Sequence, residues 1–187
     1  MLVLFFGVYM KTFVTADLHL DHKNIIKYCN RPFTDVNKMN RILVNNWNNI
    51  ISPKDTVYFL GDLSFHTEYW IPKLNGDITF IRGNHDKFHE TKYYNNYVLK
   101  YGGIYFYLTH RPEHIPQDWN GWAIYGHVHN NYPKECPFFE RKNKRFNVST
   151  EMTNYKPVNM DYIMESINGR VEKLYPSKPK KWWQFWK

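Results

Sequence analysis

Two cysteines among 187 residues, Cys29 and Cys136, are far apart in the chain, fit no C-x-x-C pattern and are too few for a disulfide scaffold. They read as reduced thiols of a cytoplasmic protein. A membrane span is missing too. The N-terminal apolar run from Leu2 to Met10 is far shorter than a bilayer requires and has neither a basic n-region nor a small-residue cleavage site. Internal repeats and low-complexity stretches are absent. Acidic residues are outnumbered, giving a net charge of +8, but the excess is local. From Arg170 to Lys187 six basic residues face one acidic residue, so only three net positive charges remain for the other 169 residues. The basic signal therefore says little about the body of the protein.

What is present fits one soluble domain: 43% hydrophobic, 22% charged and an unusual 19% aromatic residues. We expect residues 10–175 to form it. Residues 1–9 read as an extension or the first part of a strand, because Met10 is an alternative start. Residues 176–187 read as a tail outside the fold. In that tail Lys178, Lys180 and Lys181 stand beside Trp182, Trp183, Phe185 and Trp186. Such a composition suits a membrane surface or single-stranded nucleic acid, against the alternative of a disordered or folded-back end.

Five runs rich in β-branched and aromatic residues predict buried strands: Thr12 to Ala16, Thr56 to Leu60, Ile78 to Ile81, Ile104 to Thr109 and Trp122 to Tyr125. Helical spacing of Met39, Ile42, Leu43, Trp47, Ile50 and Ile51 predicts a helix over 35–51, capped by Thr34 or Asp35 and stopped by Pro53. Shorter helices are expected over 68–74, closed by Asn75-Gly76, and over 159–167, with Gly169 beyond. Strand and helix alternate in the first half, which points to an α/β protein, and the second half makes a mixed sheet the better expectation.

Each strand run ends in residues that can hold a metal. The series is Asp17-Leu18-His19, Gly61-Asp62, Gly83-Asn84-His85-Asp86, His110 and Gly126-His127-Val128-His129. Ligands in open α/β sheets gather beyond the carboxyl ends of strands, so these residues are expected to meet. Asp17 with His19, and His127 with His129, are two residues apart. On extended backbone each pair would address one metal centre. Carboxylates, an amide oxygen and imidazoles without thiolates suit borderline divalent ions better than Ca²⁺, and they argue against a zinc finger. Each motif alone is weak, and Gly-Asn-His-Asp alone could be a turn. Their conjunction in order, each directly after an apolar run, is what carries weight.

That series resembles the calcineurin-like metallophosphoesterase family, whose order is D-x-H, G-D, G-N-H-D, H and G-H-x-H. The likeness spans Asp17 to His129, about 60% of the chain. The stretch Asp17 to Ile26, with Arg31-Pro32-Phe33 and Asn147-Val148-Ser149, resembles a compact bacterial, archaeal and phage branch without a cap domain. The resemblance implies a four-layer αββα sandwich, two mixed sheets flanked by helices. It also implies two divalent ions, Mn²⁺ first with Fe, Zn or Ni as alternatives. Asp17, His19 and His129 would hold one, Asn84, His110 and His127 the other, and Asp62 would bridge them. His85 would be the catalytic acid and Asp86 would orient its imidazole.

The implied reaction is in-line attack of a metal-bridging hydroxide on a phosphate ester. Nucleotide or nucleic-acid diesters are expected ahead of monoesters, because a general acid suits a poor leaving group and a capless site is open to larger substrates. A phosphomonoesterase, including a protein or nucleotide phosphatase, is the alternative. A non-catalytic module of the same fold would be marked by a missing ligand or a replaced His85, and neither occurs. His22 and Arg111 are placed to touch substrate phosphate, with a loop hydrogen bond or surface salt bridge as the alternative. His66, His89 and His114 fit no ligand slot and read as surface residues. No obligate protein partner follows from the sequence.

Overall fold

The computed structural model describes residues 9–86 and 92–171. Most of the N-terminal extension, His89 and the C-terminal tail lie outside the described residues. In chain order the elements are β1 (Thr12–Thr15), α1 (Ile25–Tyr28), α2 (Val36–Asn48), β2 (Thr56–Phe59), α3 (Thr67–Trp70), β3 (Asp77–Ile81) and β4 (Tyr93–Tyr94). Then come β5 (Asn96–Tyr101), β6 (Ile104–Thr109), β7 (Trp122–Tyr125), β8 (Phe139–Glu140), β9 (Arg145–Asn147), β10 (Val158–Asn159) and α4 (Met160–Ile167). They build two mixed five-stranded sheets, ordered β10-β1-β2-β3-β4 and β5-β6-β7-β9-β8, with flanking helices. Strands β1 to β4 are mutually parallel, as are β6, β7 and β9, and the edge strands β10, β5 and β8 pair antiparallel.

Alternation along the strands explains the layering. In the first sheet Val14, Ala16, Tyr58 and Leu60 face the second sheet, where Phe106, Leu108, Ile124 and Phe146 meet them. Phe13, Val57, Phe59 and Phe80 face the other way and pack under Met39, Leu43 and Trp47 of α2. Both faces of the first sheet are thus buried, which is why its strands read as continuous apolar runs. Each large side chain so buried contributes about 1.5–3 kcal/mol.

Helix α2 starts where the sequence places it. Asp35, at φ −155°, accepts a hydrogen bond from the Lys38 amide at 2.8 Å. Trp47 donates its indole N–H to the Asn75 carbonyl at 2.8 Å and ties the helix to the turn before β3. The helix expected over 68–74 differs. It begins at Thr67, makes one α-turn and tightens into a 3-10 turn over Ile71–Lys73, because Pro72 has no amide to continue the ladder. No helix among the described residues is long and apolar enough to cross a membrane.

At the carboxyl ends of β1 and β7 the two sheets nearly touch. Ala16 bridges Ser149 beyond β9. A side chain on Gly126 would put its first carbon 2.5 Å from the Ala16 methyl and 2.6 Å from Asp17 Oδ2. Glycine is needed there for space, and the pinch brings ligands from both sheets together.

Candidate metal centre

The turns that follow the strands hold an unusual backbone. Asp17, His19, Asp62, His127 and His129 all have positive φ, between 50° and 70°. Left-handed backbone at a residue with a side chain costs about 1–3 kcal/mol, and aspartate and histidine tolerate it better than most. Hydrogen bonds between neighbouring turns offset it. The Asp17 amide donates to the Gly61 carbonyl and the His19 amide to the Asp62 carbonyl, each at 3.0 Å, and the His127 amide donates to Asp17 Oδ2 at 2.8 Å.

This backbone corrects the expectation that each two-residue pair addresses one centre from extended chain. Asp17 and His19 do stay together, but His127 and His129 part. The expected ligands fall into two groups, each with its atoms within 4.8 Å of one another: Asp17, His19 and His129 in one, Asp62, His110 and His127 in the other. Asp62 stands between them, its Oδ2 3.5 Å from His19 Nε2 and 3.4 Å from His110 Nε2. Asn84 Oδ1 comes within 3.0 Å of His110 Nε2, joining the second group. Asp17 Oδ1 and His19 Nε2 are buried without a hydrogen-bond partner. Unpartnered buried oxygen and nitrogen atoms aimed at one point are what a divalent cation would satisfy, so the residues fit a two-metal site.

No family model matches the chain. It is 47% identical over 169 residues to an uncharacterized protein of Methanocaldococcus jannaschii, spanning 86% of this chain and 94% of that one. It is 34% identical over 82 residues to the Gene 66 protein of Mycobacterium phage L5, covering 40% of this chain and 39% of that protein. The fold matches a protein of unknown function from Aquifex aeolicus with a TM-score of 0.63 at 21% identity, over 85% of this chain and all of the other. The archaeal likeness runs over most of both chains. The chain belongs to one family with that archaeal protein.

The protein orients its candidate ligands from behind. His110 Nδ1 donates to the Leu60 carbonyl at 2.7 Å, which turns Nε2 toward Asp62. His129 Nδ1 is 3.0 Å from Glu151 Oε2. Glu151 in turn binds Arg31 through Oε1, at 2.7 Å and 2.8 Å, and Arg31 donates to the Asp17 and Leu18 carbonyls, each at 2.8 Å. Sequence reasoning missed Glu151 and gave Arg31 no role. Arg31 opens the Arg31-Pro32-Phe33 stretch, whereas Glu151, 22 residues after His129, carries no local signal. It also missed Cys29, which lies buried beside His129 and Glu151, with burial raising its thiol above the usual range. Both cysteines are free.

Asp86 does not act as expected. Its Oδ2 accepts the amides of Asp62 and Gly83 at 2.9 Å and 2.8 Å, and its Oδ1 accepts that of Leu63 at 3.1 Å. No hydrogen bond to the His85 imidazole is present among the described residues. Both oxygens are committed to backbone, so Asp86 fixes the turns carrying Asp62 and Asn84. The backbone of His85 is placed instead by its amide bond to Asp62 Oδ1 at 2.8 Å.

Charge is shared unevenly among the histidines. Burial disfavours protonation of His110 and His129, but Asp62 and Asp17 beside the first, and Glu151 and Asp17 beside the second, push them up to about 9 and about 11. Burial, aided by cationic neighbours, takes His19 down to about 2 and His127 to about 4, leaving neutral imidazoles with lone pairs available to a metal. Burial raises Asp17, while His110 holds Asp62 below the carboxylate range despite its burial.

The centre opens into a cleft of about 250 Å³. His85 and Asn84 are exposed on its wall. His22 is half-buried there, its Nδ1 3.4 Å from His19 Nδ1 and its ring 4.8 Å from Phe65. Tyr28, also on the wall, is 68% exposed. Asp21 anchors the His22 loop by accepting from Asn40 and Trp70, each at 2.7 Å, and His66 joins it at 3.0 Å. His66 and His114 are exposed, and Arg111 pairs with Glu113 at 3.1 Å outside the cleft.

Proposed function

We propose that this protein is a calcineurin-like metallophosphoesterase, a dinuclear metal-dependent hydrolase of phosphodiesters of the nucleotide or nucleic-acid kind. The carrying observation is the position of Asp62 Oδ2 between two ligand groups, with unpartnered Asp17 Oδ1 and His19 Nε2 beside it. In this reading Asp17, His19 and His129 hold one ion, Asn84, His110 and His127 the other, and Asp62 both. Two such ions supply a nucleophile from water at neutral pH and neutralise phosphoryl charge.

The protein's own groups do the rest. Asp62 and Asp86 hold the turn that presents His85 at the open end of the centre, its ring 5.4 Å from that of His19. From there His85 can protonate a departing alkoxide. His22 and Tyr28 line the cleft with rings 6.1 Å apart by centroid, and Phe65 backs His22 at 4.8 Å, which suits a nucleobase or other planar leaving group. An exposed His85 and an open cleft favour a diester, whose leaving group must be accommodated and protonated.

Turnover of a bis-aryl phosphate against the corresponding aryl phosphate, with Mn²⁺, tests the reading. Preference for the diester supports it. Preference for the monoester replaces it with a phosphomonoesterase, and full activity after chelation removes the metal centre from the account.

A further inference from the structure

Two of the candidate ligand histidines have a pure acceptor behind the ring at Nδ1: the Leu60 carbonyl at 2.7 Å for His110 and Glu151 Oε2 at 3.0 Å for His129. Behind His19 stands another imidazole, His22, with Nδ1 facing Nδ1 at 3.4 Å. An imidazole nitrogen can donate or accept, so this partner does not set the direction of the bond. The placement itself is fixed by backbone. The His22 amide donates to the His19 carbonyl at 3.1 Å, its carbonyl accepts the Ile25 amide at 3.2 Å, and Asp21 between the two histidines is clamped by Asn40 and Trp70, each at 2.7 Å.

The direction is set from the other end of His19. Its Nε2 is buried without a hydrogen-bond partner, 3.5 Å from Asp62 Oδ2, and is the ring nitrogen that faces the candidate ligands. A ligand nitrogen offers a lone pair, so the proton of the His19 ring belongs on Nδ1, from where it donates to His22. His22 Nδ1 must then carry a lone pair, and an imidazole with a lone pair there holds its proton on Nε2. No hydrogen bond to Nε2 of His22 is present among the described residues, and the half-buried ring lies on the cleft wall with His19 and His85.

We propose that His22 is a positioning residue for His19 and, through the proton arrangement that a metal on His19 imposes, an N–H donor to a phosphoryl oxygen in the cleft. Without an ion the pair can run the other way, His22 donating to His19 and His19 Nε2–H facing Asp62 Oδ2. Loading the centre therefore turns Nε2 of His22 from an acceptor, which repels phosphate, into a donor, which binds it. The proposal rests on the metal-centre reading above and is independent of the preference for diesters.

Nitrogen–proton correlation spectra of the histidine rings in the Zn²⁺-loaded protein read the tautomer directly, the His22 signals being assigned by their loss in His22→Asn. The expected state is Nε2–H with a lone pair on Nδ1. Two variants separate the roles, because an asparagine amide reaches where Nδ1 sits and a glutamine amide where Nε2 sits. His22→Asn keeps an acceptor for His19, so it should hold Zn²⁺ within about threefold of the unsubstituted protein and bind inorganic phosphate about tenfold more weakly. His22→Gln keeps the donor and loses the acceptor, so Zn²⁺ affinity should fall about 10- to 100-fold while phosphate binding at saturating Zn²⁺ survives. A His22 ring protonated on Nδ1 in the loaded protein, or equal behaviour of the two variants, overturns the proposal and leaves the metal centre standing. Failure of the unsubstituted protein to take up Zn²⁺ overturns the metal-centre reading, and the His22 assignment with it.

Discussion

Glu151 Oε2 lies 3.0 Å from Nδ1 of His129, and the other oxygen of the same buried carboxylate lies 2.7 Å from the Arg31 guanidinium. The carboxylate thereby fixes the ring of a candidate metal ligand, while Arg31 carries the same tie to the carbonyl of Asp17. Three chain segments far apart in sequence meet in this relay.

Glu151→Gln should therefore do two things. Leaving Arg31 without its buried counter-ion should lower stability by about 3–5 kcal/mol. Freeing the His129 ring should weaken metal binding by about 10- to 100-fold. Urea unfolding and Mn²⁺ titration calorimetry read the two separately. Unchanged metal affinity beside lost stability would reduce Glu151 to a structural residue.

His85→Ala should retain near-normal metal content and lose about 10²- to 10⁴-fold in turnover of diesters with poor leaving groups, and less with a nitrophenolate. Metal analysis paired with a leaving-group series checks it. Parallel loss of metal and activity would make His85 a ligand and not the acid.

Gly126→Ala should displace Asp17, whose Oδ2 is 2.6 Å from where the new methyl must sit. The overpacking costs about 1–3 kcal/mol. Far-UV circular dichroism should be preserved while metal content falls. Full metal occupancy would show that the strand ends can relax apart.

Asp55 predicts acid sensitivity remote from the metals. Burial pushes its carboxyl up, but the amides of Lys11 and Ser52, at 2.9 Å and 2.7 Å, hold it below its ordinary value. A carboxylate lowered in the folded state contributes stability that is full above its unfolded value of about 3.9 and is lost as pH falls through the folded value. Asp55→Ala should cost about 1–3 kcal/mol at pH 7 and less at pH 2. A pH-independent difference in urea midpoint would refute the link.

Much of the scaffold is legible because it rests on runs long enough to bury themselves. The expected strands over 104–109 and 122–125 form with those bounds, and Asp35 caps the expected helix. Strands β4, β8, β9 and β10 span two or three residues each and have no pattern of their own. They exist because a neighbouring strand offers hydrogen bonds. Helix α1 is a single turn and is illegible for the same kind of reason.

The sequence by itself determined the inventory of the site: two carboxylates, an asparagine and four histidines, each directly after a strand run, with His85 beside them. Their allegiance was implied only by the family resemblance, and tertiary structure supplies its physical cause. Side-chain direction follows backbone dihedrals, and at Asp17, His19, Asp62, His127 and His129 these are left-handed turns held by amides and carboxylates from other strands. That is why His127 and His129 serve different groups, why Asp86 braces backbone rather than His85, and why Glu151 could be found only after the chain had folded.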